Sequence, residues 1–195
     1  MEQNQKRFFK ILDSYFNKTD HLIILDVGAR DCQESVNFSR YYENSAIYAF
    51  GCNPATIPIC KRNIGGNARI ELVEKAASDK NGETTFYPIN TQKTQTPHKD
   101  GNPGASSLLK ASGKYKKETY IQDEITVKTT TLETFLKEKN ISAVDIVWVD
   151  VQGAEMLVLN SMGEKIKNVK TMHILNWSFL RCTAAKPCLA TLEIT

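Results

Sequence analysis

The sequence is short of most features that announce a function. Its five cysteines, at 32, 52, 60, 182 and 188, contain no C-x-x-C pair and leave an odd one, so neither a disulfide framework nor a zinc site is expected, and free thiols in a reducing compartment are. The three histidines, His21, His98 and His173, have no H-E-x-x-H spacing, which removes the common route to a His-built metal site. Twenty-five basic against 22 acidic side chains leave a net charge of only +3. Apart from Lys114 to Lys117 the basic residues are scattered, so no nucleic-acid partner is expected. The longest apolar runs, Leu22 to Leu25 and Ile146 to Val149, fall far below membrane-spanning length, and the start, Met1 to Lys10, has no apolar secretory core. The expectation is a cytoplasmic protein with no membrane partner. A length of 195 residues suits one domain with a sizeable core.

What is present is an alternation of short apolar runs and amphipathic stretches. Phe8, Ile11, Leu12, Tyr15 and Phe16 recur at helical spacing, predicting a helix over about 3–17. The run from Leu22 to Gly28 reads as a buried strand, followed by a helix from Gln33 to Tyr42 opened by Asp31-x-x-Glu34. Ala46 to Phe50 reads as a second strand, with Asn53 and Pro54 opening the next helix and Pro58 shortening or kinking its first turn. Further strands are expected at Arg69 to Glu74, Glu83 to Tyr87, Ile125 to Thr131 and Val144 to Asp150. Helices are expected from Thr131 through Glu138 and from Gly153 to Met162. The pattern predicts an α/β fold, a mostly parallel sheet with helices on both faces. Residues 90–107, rich in Thr, Pro, Gly and Gln, are too polar for core and form either a lid or a surface loop.

Three strand ends carry the residues of interest: Asp26 to Asp31, Phe50 to Pro54, and Trp148 to Glu155. Open parallel sheets bind ligands outside the carboxyl ends of their strands. The first turn, Asp26-Val27-Gly28-Ala29-Arg30-Asp31-Cys32, lacks the glycines of G-x-G-x-x-G, which disfavours a dinucleotide and an NAD-linked oxidoreductase. Asp150, ending a strand opposite that turn, is placed to take a proton or hold an ammonium group, or simply to cap the following helix. Glu155 lies in the first turn of that helix, where the dipole favours a carboxylate in any case. Asp26 can face a ligand or bond loop N–H groups.

Asp-Val-Gly-Ala at 26–29, Ala49-Phe50-x-x-Asn53-Pro54, and Trp148-Val149-Asp150-Val151-Gln152-Gly153-Ala154-Glu155 together resemble the FkbM-type S-adenosylmethionine-dependent methyltransferases. The resemblance runs from about Leu22 to His173. It implies a Rossmann-like methyltransferase fold, S-adenosylmethionine as cofactor, and O-methylation of a small-molecule or glycan acceptor. The implied cofactor-binding residues are Asp26, Gly28, Ala29, Asp31, Gly51, Asn53 and Asp150, and the implied catalytic residues are Asp150 and Glu155. Two positions depart from the family. Gly51 stands where a glutamate typically grips the cofactor ribose, and Cys32 where a glycine lets the loop approach the ligand; both predict a weakened cofactor grip. The alternative is a non-catalytic binding module on a degenerate methyltransferase fold. Beyond Ile174 the family pattern stops and no periodicity continues. The expected division is a methyltransferase domain over 1–174 and a tail over 175–195 that is out of frame, leaving the last strands of the sheet missing.

Overall fold

A computed structural model of the chain describes residues 3–174 and 189–190. The tail assigned to 175–195 lies outside the described residues, except for the strand pair at its positions 189 and 190. Among the described residues, no helix is long and apolar enough to cross a membrane.

The chain runs α1 (Gln3–Leu12), β1 (Ile23–Val27), α2 (Gln33–Tyr41), β2 (Ala46–Phe50), α3 (Ile57–Ile64), β3 (Ile70–Val73), β4 (Ala76–Ala77), β5 (Gly82–Phe86), β6 (Ile125–Thr130), α4 (Leu132–Glu138), β7 (Val144–Val149), α5 (Glu155–Ser161), β8 (Val169–Ile174) and β9 (Leu189–Ala190). The main sheet has the order β3-β2-β1-β7-β8-β9, and all its pairings are parallel. This is the α/β architecture, helices on both faces, that the alternating pattern predicts.

Strand periodicity explains the two cores. Ile24 pairs with Ile47 and Ile146, so these side chains share one face. With Ala49 and Trp148 they pack against Phe8, Phe9 and Leu12 of α1, Phe38 of α2 and Cys60 of α3. Leu25, Val27, Phe50, Val147 and Val149 point the other way, onto Leu132, Phe135 and Leu136 of α4, Val158 of α5 and Met162 just after it. Every residue of β7 is buried, as a central strand covered on both faces requires.

Several boundaries differ from expectation for local reasons. α1 stops at Leu12 rather than near residue 17, because Ser14 Oγ donates to the Ile11 carbonyl and Asp13 accepts from Tyr41 Oη on α2. Only Phe16 of the last two aromatics is buried; Tyr15 is exposed. Asn53 does not open α3. Its side chain accepts from Ala55 N and its carbonyl from Thr56 and Ile57 N, forming a separate turn, and α3 begins at Ile57 with Pro58 in the first turn, where a missing N–H is harmless. Thr131 caps α4 as predicted, its hydroxyl accepting from Thr134 N.

The strands at 82–86 and 125–130 leave the main sheet. They pair antiparallel with each other, and β4 adds in parallel, giving a small second sheet ordered β4-β6-β5. Between β5 and β6, residues 87–124 form a lobe closed by antiparallel bridges at Tyr87–Ser107, Ile89–Gln122 and Gln95–Thr119.

Candidate functional site

Register alone brings the three strand ends to one rim. Val27 stands opposite Phe50 on one side and Val149 on the other, so Gly28, Gly51 and Asp150 are the next residues on three adjacent strands. The chain lays β2 and β3 to one side of β1 and β7 and β8 to the other. The crevice between β1 and β7 is therefore the topological switch point where open α/β sheets bind ligands.

An open cleft lies at this rim, where open α/β sheets take their ligands. Gly28, Ala29, Gly51, Asn53 and Asp150 line it, together with Arg30, Cys52, Thr56 and Val151. Its apolar wall is Phe50, Ala76, Ala77, Phe86 and Leu108. Asp26, Asp31 and Glu155 are not on its wall.

The backbone crossing at Gly28 is the tightest in the site. Gly28 has φ +98°, and a Cβ there would lie 1.9 Å from the Asp150 carbonyl oxygen. The Gly28 and Ala29 N–H groups both donate to the Phe50 carbonyl, at 3.1 and 2.9 Å. These amides are thus used to join β1 to β2. The remainder of the turn is pinned from α3: Cys60 Sγ donates to the Ala29 and Arg30 carbonyls at 3.5 Å each, and Asn63 Nδ2 donates to the Asp31 carbonyl at 2.9 Å. Cys60 and Asn63 carried no sequence signal, since their partners lie about 30 residues away.

α2 is not opened by Asp31. The residue preceding its first turn is Cys32, at φ 59° with no side-chain cap, while Asp31 Oδ1 accepts from Gln33 N at 3.1 Å and pairs with Arg30. Cys32 is fully buried, its free thiol hydrogen-bonded with that of Cys60, which together with burial raises its pKa far above the usual thiol range. A left-handed non-glycine residue costs roughly 1–2 kcal/mol. The left-handed backbone at Cys32 is one that a glycine adopts without that cost. Cys52, on the cleft wall, is likewise pushed up to about 12 by burial.

Gly51 has no acid to offer a ribose, and the backbone leaves little room for one. A Cβ at Gly51 would stand 2.8 Å from the Ala29 carbonyl oxygen, so a side chain there requires the first turn to shift.

Asp150 directly follows β7 on the cleft wall, its N–H donating to the Val27 carbonyl at 2.9 Å and its Oδ1 accepting from Gln152 Nε2 at 2.5 Å. Glu155 turns back on its own helix, Oε1 accepting from Gly153 N at 3.0 Å. It serves the terminus of α5, the role the dipole favours, rather than the cleft.

Asp26 is fully buried one residue short of the rim, with Ser35 Oγ donating to Oδ2 at 2.5 Å. Burial first, then the nearby Glu34 and Asp150 charges, raise its pKa to about 7 against the lowering effect of Ser35. Its carboxyl group binds α2 instead of facing the cleft, which corrects the expectation that it cradles a ligand. The raised pKa sets a direction for stability. The folded chain prefers Asp26 protonated, so this contribution is complete below about pH 4 and is lost as pH rises through about 7. Asp26→Asn is neutral throughout and can still accept from Ser35. The variant is therefore expected to gain roughly 2–4 kcal/mol on the native chain between pH 4 and 8, read as diverging denaturant midpoints across that interval. Parallel pH profiles for the two proteins would refute the assignment.

The remaining wall comes from the lobe. Pro103, Gly104, Ser106, Ser107 and Leu108 line the cleft, and Ser107 Oγ donates to the Val151 carbonyl at 3.1 Å, tying the lobe to the turn after β7. Of the two readings of residues 90–107, the structure gives a hydrogen-bonded wall of the cleft. Among the described residues no group of three His, Cys, Asp or Glu is placed to hold a metal.

A family model described as the methyltransferase FkbM domain matches residues 26–186. The chain is also similar to the 2-O-methyltransferase NoeI of Sinorhizobium fredii (strain NBRC 101917 / NGR234), with 26% identity over 157 residues. That alignment covers 77% of this chain and 61% of the relative, so the chain spans less than two thirds of the relative's length.

Proposed function

The chain belongs to the FkbM methyltransferase domain family, and on that premise we propose that it transfers a methyl group from S-adenosylmethionine to a hydroxyl oxygen of a small-molecule or glycan acceptor. The observation that carries this reading is the convergence of Gly28, Gly51 and Asp150 on one cleft at the switch point of the sheet. The relative's name, a 2-O-methyltransferase, supports oxygen as the acceptor atom.

The cleft suits the cofactor in shape and charge. Phe50, Ala76, Ala77 and Phe86 offer an apolar wall for a base, and Asp150 offers a carboxylate to an ammonium group or to the proton of an acceptor hydroxyl. S-adenosylmethionine would supply an electrophilic methyl group for in-line displacement, which leaves the protein to align the acceptor and help remove its proton. Asp150 is the ionisable side chain on the wall best placed for that work. Asn53 and Thr56 lie beside Gly51 and offer neutral hydrogen-bonding groups where a ribose-gripping acid is missing. The donor is consequently held without a charge-assisted pair at that position, a loss of roughly 1.5–3 kcal/mol per hydrogen bond.

That deficit, with the strained Cys32 turn, favours one rival reading: a binding module that keeps the fold without turnover. Calorimetric titration with S-adenosylmethionine and S-adenosylhomocysteine separates them. Binding in the micromolar to sub-millimolar range, with methyl incorporation into a polyol acceptor, supports the enzyme. Silence up to millimolar ligand removes it.

A further inference from the structure

We infer that the lobe at 87–124 is the acceptor-recognition surface and that the acceptor is an acidic carbohydrate, one bearing carboxylate, sulfate or phosphate groups. The inference rests on the methyl-transfer reading, and deepens it.

Charge is distributed unevenly over the molecule. Between residues 93 and 117 the lobe carries Lys93, Lys99, Lys110, Lys114, Lys116 and Lys117 against a single acid, Asp100. The whole chain is only +3, so the remainder is close to neutral or slightly acidic. Glu118, Asp123 and Glu124 on the returning part bring residues 87–124 to a net +2, so the positive charge is concentrated on the segment from Lys110 to Lys117, which carries four lysines and no acid. Glu118 accepts from Thr96 Oγ1 and Tyr120, Asp123 from Asn90 Nδ2, and Glu124 pairs with Lys110. Among the described residues, no ion pair engages Lys93, Lys99, Lys114, Lys116 or Lys117.

The same lobe builds the cleft wall. Tyr120 Oη meets Asn102 Nδ2 at 2.6 Å, and Asn102 leads directly into the turn Pro103–Ala105, whose Pro103 and Gly104 line the cleft. The lysine-bearing surface and the reaction cleft are thus parts of one hydrogen-bonded unit. Tyr115, 45% exposed among these lysines, stands edge-on to Tyr120 at 5.1 Å, offering an aromatic surface of the kind that packs on the C–H face of a sugar ring.

The lobe from 90 to 117 contains no arginine. Planar guanidinium forks are what read phosphodiesters and base edges bidentately, whereas lysine is a flexible point charge suited to scattered anionic groups. Six lysines set among Thr, Ser, Asn and Gln hydroxyls and amides therefore match an acidic glycan better than a nucleic acid.

The test uses the full chain and its triple variant Lys114→Ala, Lys116→Ala, Lys117→Ala, all exposed positions. Tri-galacturonate, a neutral galactose trisaccharide, a single-stranded oligonucleotide and phosphatidylserine vesicles are compared by calorimetry, with S-adenosylhomocysteine titrated separately. Tri-galacturonate should bind about tenfold or more tightly than the neutral sugar, weaken about tenfold in the triple variant, and weaken again from about 0.05 to 0.5 M salt. S-adenosylhomocysteine affinity should be the same in both proteins. Equal binding of charged and neutral sugars, an unaffected triple variant, or tighter binding of the oligonucleotide or the vesicles overturns the inference. A silent S-adenosylhomocysteine titration would instead remove the methyl-transfer reading, and is read independently of the sugar results.

Discussion

Replacing Gly28 by alanine is expected to unfold the site and to take much of the chain's stability with it. The added Cβ would fall 1.9 Å from the Asp150 carbonyl oxygen and 2.7 Å from its carbonyl carbon, in a backbone held at φ +98°. Neither neighbour is a side chain that can rotate away. Relief requires β1 and β7 to part at their carboxyl ends, breaking the Asp150 N–H to Val27 bond and the paired bonds to the Phe50 carbonyl. A strained φ costs roughly 1–3 kcal/mol and the backbone collision adds to it, so a total of about 4 kcal/mol or more is expected, where whole domains are stable by only about 5–15 kcal/mol. For a chain of this size that corresponds to a fall in melting temperature of roughly 8–16 °C. Thermal melts followed by circular dichroism measure it directly. A shift of only a degree or two would mean that the β1–β7 crossing is looser than described.

The second large effect concerns Asp150. Asp150→Asn keeps the shape and the contact with Gln152 Nε2 but removes the charge. If the carboxylate takes the acceptor proton, turnover falls about 10²- to 10⁴-fold with cofactor affinity little changed. If it holds the cofactor ammonium, the dissociation constant for S-adenosylmethionine rises about 10- to 100-fold. Turnover with a polyol acceptor and calorimetry with S-adenosylhomocysteine, measured on the same preparation, divide the two roles. An Asn variant that matches the native chain in both measurements would remove Asp150 from the site.

Most of the architecture was legible residue by residue. The runs at 22–28, 46–50 and 144–150 read as buried strands because they are apolar, β-branched and bounded by Gly, Pro or Asp, and each lies within a residue or two of its observed element. Thr131 announced α4 because a capping hydroxyl is a local matter. The three-loop rim was legible for the same reason: in a parallel sheet, residues that end strands end up together whatever the details of packing.

Less of the site could be read. Asp26 and Glu155 look like ligand-facing acids in a linear string, yet each is claimed by a nearby helix, through Ser35 and through the Gly153 amide. The pairing at 82–86 and 125–130 was also hidden, since a five-residue extended run carries no statement of which partner it will take.

Strand and helix pattern, the order of elements and the position of Gly28, Gly51 and Asp150 at strand ends follow from the sequence alone, because they depend on periodicity and on residues adjacent in the chain. Only the tertiary structure decides that the Gly28 and Ala29 amides are spent on Phe50, that the Ala29 carbonyl blocks a side chain at Gly51, and that the polar lobe becomes a wall of the cleft. Those outcomes depend on distances between segments 20 to 120 residues apart, set by strand register and by how tightly the first turn is drawn against β2 and β7, and no local propensity encodes them.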